Sequence, residues 1–97
     1  MIRHVAVFKF KPTLTPEARQ RWMGELTELP GKIDFLRSIS VGDDQLHGQR
    51  SWDAAVVADL DGTVADVPAY LNHPAHQAIG ALSAPHLEQL VLVDFEL

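Results

Sequence analysis

The sequence contains no cysteine, which excludes structural disulfides, thiolate metal sites and a cysteine nucleophile together. Basic residues are also scarce, with eight Lys and Arg against thirteen Asp and Glu and a formal charge of −5. Nucleic-acid affinity depends on clustered Lys and Arg, so nucleic acid is not expected as a partner. The three basic residues that do gather, Arg3, Lys9 and Lys11, alternate with apolar ones and read as the solvated face of a strand. Long apolar runs are missing too. The opening stretch is broken by Lys9 and Lys11 and resembles neither a signal peptide nor a membrane span, so a cytoplasmic protein without a membrane partner is expected. Gly-x-Gly-x-x-Gly, Walker-type and Gly-x-Ser-x-Gly patterns are all absent, and with them the usual phosphate cradles and the hydrolase elbow.

What remains is ordinary globular material: 97 residues, 46% hydrophobic and 22% charged. A single domain over residues 1–97 is expected, and one this small has little core of its own. Oligomerisation is a standard way for such a chain to bury more apolar surface.

Residues 2–11 are rich in Val and Phe and sort by twos. His4, Ala6, Phe8 and Phe10 share one face, and Arg3, Val5, Val7 and Lys9 the other. Both faces carry apolar members, so this first strand is expected to be covered on each side. Thr15-Pro16-Glu17 offers an N-cap, a proline suited to the first helical position and an acid at the positive end of the dipole. Ala18, Trp22, Leu26 and Leu29 follow at helical spacing, and Pro30-Gly31 stops the helix. A second strand is expected over 35–41, with Phe35, Arg37, Ile39 and Val41 on one side. A third is expected over 51–60, ending at Asp61-Gly62. Thr63 and Asp66 stand at capping-box spacing for a second helix, which Pro74 should break near Asn72 or His73. Helix resumes from Ala75 to about Ala84, and residues 90–95 close the chain as a branched, apolar strand. The order is βαββαβ, of class α+β.

Chemistry concentrates in the histidines and the one tyrosine. Tyr70 stands six positions before His76, a rotation of about 240° on an unbroken helix, so the two would diverge were it not for the break at Pro74. If the break brings them together, a neutral imidazole can take a proton while a phenol donates to a developing oxyanion, a pairing suited to enolisation beside a carbonyl. The plainer alternative has Tyr70 capping the core while His73 or His76 caps a helix end. His4, His73 and His76, with Asp94 or Glu96 adding oxygen, offer a zinc-type ligand set, but the His-Glu-x-x-His pattern is missing, and no metal or other cofactor is expected.

Four segments carry a wider likeness: Ile2-Arg3-His4-Val5-Ala6-Val7-Phe8-Lys9-Phe10-Lys11, Leu29-Pro30-Gly31-Lys32, Tyr70-Leu71-Asn72-His73-Pro74-Ala75-His76 and Val93-Asp94-Phe95. Through them the chain resembles the stress-responsive A/B barrel (Dabb) family over essentially its whole length. The resemblance implies a ferredoxin-like subunit whose four-stranded antiparallel sheet packs face to face with that of a second copy, forming a homodimeric α/β barrel. It also implies a cavity between sheet and helices. In the family's cyclases, of the olivetolic acid cyclase type, that cavity serves cofactor-free aldol cyclisation of a poly-β-ketide.

Carried over by residue, the resemblance implies His76 as general base and Tyr70 as the group that polarises a carbonyl. His4, Phe8, Trp22, His73 and Asp94 are then expected to bind or frame a small apolar carbonyl ligand, Asp94 by orienting an imidazole. Ala54 stands where many relatives carry a histidine. Fold alone does not fix function, and a noncatalytic stress-response or ligand-binding protein and a cofactor-free or haem-linked monooxygenase are the alternatives.

Overall fold

The computed structural model describes residues 1–97. Strand β1 (Ile2–Phe10) is followed by helix α1 (Pro16–Thr27), strands β2 (Leu36–Asp43) and β3 (Ala54–Leu60), helices α2 (Val67–Leu71) and α3 (Pro74–Ser83), and strand β4 (Leu87–Glu96). Single 3₁₀ turns precede β2, α2 and β4. The four strands form one antiparallel sheet in the order β2-β3-β1-β4, with the helices on one face. This is the ferredoxin-like arrangement, and it places β1 and β3, the strands with the most regular apolar alternation, at the centre. No helix is long and apolar enough to cross a membrane.

The local signals account for most of the elements. Thr15 caps α1 by accepting from the Ala18 amide at 3.1 Å, with Pro16 in the first turn. Thr63 and Asp66 close a capping box, in which the Asp66 carboxylate accepts from the Thr63 amide at 2.8 Å. Gly62 just before it has φ +100°, and a Cβ there would run into that same carboxylate, so only glycine suits the turn. The helix breaks at Asn72 and His73, Pro74 starts α3, and His73 is its N-cap.

Pairing with neighbours moves three boundaries away from the sequence expectation. Strand β2 begins at Leu36, and a bulge at Arg37 lets Leu36 pair with Leu60 while Ser38 pairs with Asp59. The expected single face of Phe35, Arg37, Ile39 and Val41 is therefore split. Leu36, Ile39 and Val41 go to the helix side, and the Arg37 guanidinium turns to Asp61 at 2.6 Å. Strand β3 starts three residues later than expected, at Ala54. Strand β4 starts three residues earlier, at Leu87, because β1 has edge to offer as far as Phe10.

The core lies between the helices and one face of the sheet. Ile2, Ala6, Val56, Ala58 and Leu60 meet Trp22, Leu26, Leu29 and Ile79 there, all nearly inaccessible to solvent. Trp22 is its aromatic centre, 4.9 Å from the ring of Phe8 and 5.3 Å, edge-on, from that of Phe10. The opposite face of the sheet has no covering element. Val5 and Val7 lie beside Val93 and Val91 there, and Val91, Val93 and Phe95 are 46%, 55% and 44% exposed. One pair of charges on that face is satisfied internally, since Arg3 donates twice to Asp59, at 2.8 and 2.9 Å. The Arg3 contact holds the Asp59 carboxyl below its ordinary range, against an opposing contribution from burial.

Candidate functional site

The break before Pro74 decides the geometry of the site. Helix α2 ends at Leu71, His73 adopts an extended backbone (φ −61°, ψ 134°), and α3 sets off anew from Pro74. Tyr70 and His76, which one continuous helix would point apart, meet with ring centroids 4.7 Å apart. Tyr70 also meets His4 of β1, at 5.6 Å between centroids. The three rings surround one hollow of about 170 Å³ between the sheet and α3. Phe8 and Trp22 are among its apolar walls, as expected, together with Leu26, Leu90 and Leu92.

Two expected members stand outside the lining. His73 uses its ring as a helix cap: its Nδ1 accepts from the Ala75 amide at 3.1 Å. Asp94 sits behind His4, where its carboxylate accepts from Nδ1–H at 2.6 Å. The imidazole that the acid orients is that of His4. The bond holds the His4 ring in place through Nδ1. His4, Asp94 and Tyr70 thus form one connected support around the ring of His76. His4, His73 and His76 do not converge with any carboxylate into a group that could hold a metal ion.

The environment sets the protonation states. Burial pushes the His76 imidazole below its ordinary 6.5, the nearby His4 pushes the same way, and the Leu71 carbonyl opposes them. Burial raises the Tyr70 phenol from 10.0 to about 12. At neutral pH the hollow therefore holds an unprotonated imidazole beside a protonated phenol, the states in which the first accepts a proton and the second donates a hydrogen bond.

Sequence reading missed the far end of the hollow. Gly80 and Ser83 continue the His76 face of α3, and Leu90 and Leu92 alternate with Val91 and Val93 on β4. The spacing from His76 to Gly80, one helical turn, was the available signal. A wider and more open depression of about 460 Å³ lies on the other face of the sheet, around Val7, Val57 and Trp52. It holds no imidazole or phenol, so size does not make it the better candidate for acid–base chemistry.

A family model described as the stress responsive A/B barrel domain (Dabb) matches residues 2–97. No curated protein matches the chain. Among solved structures, a dimeric ferredoxin-like protein of unknown function from Thermobifida fusca is 40% identical, with a TM-score of 0.86 over 99% of this chain and 90% of its own. A dimeric protein of unknown function and ferredoxin-like fold from Bacteroides fragilis is 31% identical, with a TM-score of 0.80 over 99% and 95%. A hydroxynitrile lyase from Passiflora edulis shares the fold at a TM-score of 0.77, over 97% of this chain and 90% of its own, with 14% identity.

Proposed function

This chain belongs to the stress-responsive A/B barrel family, and from that premise we propose that it is a homodimeric, cofactor-independent enzyme acting beside the carbonyl of a small, largely apolar compound. The observation that carries the reading is the contact of a neutral His76 with a protonated Tyr70 in one apolar hollow. His76 takes a proton from the carbon next to the carbonyl, and the C–H electron pair moves through the enolate to the oxygen. Tyr70 donates a hydrogen bond to that oxygen as charge develops. The enolate carbon then regains a proton from the imidazolium, or bonds to a second carbonyl carbon whose oxygen takes that proton. The second course is the aldol step of a cyclase. No electrons are gained or lost overall. The mostly apolar lining favours a noncatalytic binder as the second reading.

The two readings separate in deuterium oxide. The enzyme reading expects His76-dependent exchange of the α-hydrogens of a bound ketone, followed by proton NMR, whereas binding without exchange would leave the binder. The exchange rate should be flat near neutrality and fall on the acid side at a pH below 6.5, because the His76 pKa is depressed. Tyr70, raised to about 12, should add no alkaline limb below about pH 10. An acid limb above 6.5 would contradict the buried, neutral His76. The same shifts act on stability. With the folded His76 pKa lowered, its share is present above 6.5 and lost as pH falls through the folded value; with the Tyr70 pKa raised, its share is present below 10.0 and lost as pH rises toward about 12.

The dimer part of the proposal rests on the uncovered sheet face. A contiguous apolar surface of this kind on a small domain marks an interaction site, its Arg3 and Asp59 are already paired with each other, and a second copy presents the same valines. Val93→Asp would place a carboxylate among them at a cost of several kcal/mol. Light scattering after size exclusion should give twice the chain mass for the native protein and the single mass for the variant. A Val93→Asp variant that stays dimeric at micromolar concentration would rule this face out.

A further inference from the structure

Given that the hollow handles a carbonyl compound, we propose that it admits only neutral molecules of about single-ring size, and that the bare Gly80 position sets how long an apolar tail they carry. Size is the first observation. The hollow measures about 170 Å³, close to the roughly 150 Å³ that accepts benzene in an engineered cavity and well below the roughly 300–1,000 Å³ of drug-sized sites.

Charge is the second. The lining holds no Lys, Arg, Asp or Glu; its polar members are His4, Tyr70, His76 and Ser83. The Ser83 hydroxyl donates to the Gly80 carbonyl at 3.2 Å, and His4 already serves the Asp94 carboxylate. A carboxylate ligand would meet a neutral imidazole and a phenol with no cation to offset its desolvation, and a second carboxylate one residue away.

Gly80 supplies the third. It lies one turn beyond His76 on the same face of α3 and lines the hollow, and a Cβ built there meets nothing within 4 Å. Close packing is therefore not what keeps the side chain small. Glycine inside a helix costs about 1 kcal/mol relative to alanine. What the position has in return is open space between α3 and the leucines of β4, one turn from the His76 end of the hollow. A ligand whose carbonyl sits at that end lays its hydrocarbon over Gly80.

The test is binding of three probes, acetophenone, its para-butyl derivative and benzoate, followed by ligand-observed NMR near pH 7. Acetophenone should bind about tenfold or more tighter than benzoate, a difference of about 1.4 kcal/mol. Gly80→Ala should fold at least as well as the native chain and weaken the para-butyl compound more than acetophenone. Gly80→Leu should weaken acetophenone about tenfold or more with an unchanged circular dichroism spectrum. Equal affinity for benzoate, undiminished binding by Gly80→Leu, or no binding of acetophenone at millimolar concentration would each overturn the inference. Its fate is separable from that of the chemistry. Selective binding without α-hydrogen exchange would sink the enzyme and leave this ligand class standing, whereas His76-dependent exchange on an anionic or long-chain ketone would do the reverse.

Discussion

Replacing His76 by alanine is expected to lower the rate of α-hydrogen exchange by about 10²–10⁴-fold, the usual contribution of a positioned acid–base group. The loss should fall on kcat. The proton transfer by His76 belongs to the transition state, so KM should change by much less. Tyr70→Phe removes one oxyanion donor and should cost about 10²–10³-fold, while leaving the ring to fill the core, where Tyr70 is 1% exposed. Because the two groups act on one enolate, the double variant should lose little more than the worse single variant. Independent multiplication of the two losses would mean that they do not share a transition state. Normal exchange by His76→Ala, measured on the same ketone, would remove His76 from the chemistry altogether.

That experiment concentrates on residues whose meeting could be anticipated from Pro74 alone. A proline deep in a helical pattern has one of two effects, a kink or a restart, and either one rotates His76 relative to Tyr70. The alternation of β1 was equally legible, because a central strand takes its two faces from its own sequence. Arg37 was not. Its bulge exists because β2 must register with Leu60 and Asp59 of β3, and no local pattern records a neighbour's register. The surroundings of His73 and Asp94 were not legible for a related reason. Whether an imidazole caps a helix or faces a cavity, and which of two histidines a carboxylate orients, depends on backbone directions set by partners far away in the chain. His4 and Asp94 are cross-strand neighbours, a relation fixed only once β4 has docked on β1.

Trp22→Ala should destabilise the fold by about 3–5 kcal/mol, the range for deleting a buried aromatic side chain. Trp22 is 2% exposed and packs against the rings of both Phe8 and Phe10, so the substitution removes transfer free energy and two aromatic contacts together, and leaves a cavity beneath α1. Domains of this size are stable by only about 5–15 kcal/mol, so the variant should sit near the threshold of folding. The loss also reaches the site, because Trp22 walls the hollow and its removal merges ligand space with core space. Chemical denaturation measures the effect, and a loss below about 1 kcal/mol would mean that the indole is not the keystone its packing implies. Only 16 of the 97 residues are buried within one subunit, so a second copy on the open sheet face would hold much of the total stability. The midpoint of Trp22→Ala unfolding should then rise with protein concentration, since association stabilises by mass action. A midpoint independent of concentration would instead place all the stability in the single chain, and with it the open valine face would lose its role in folding.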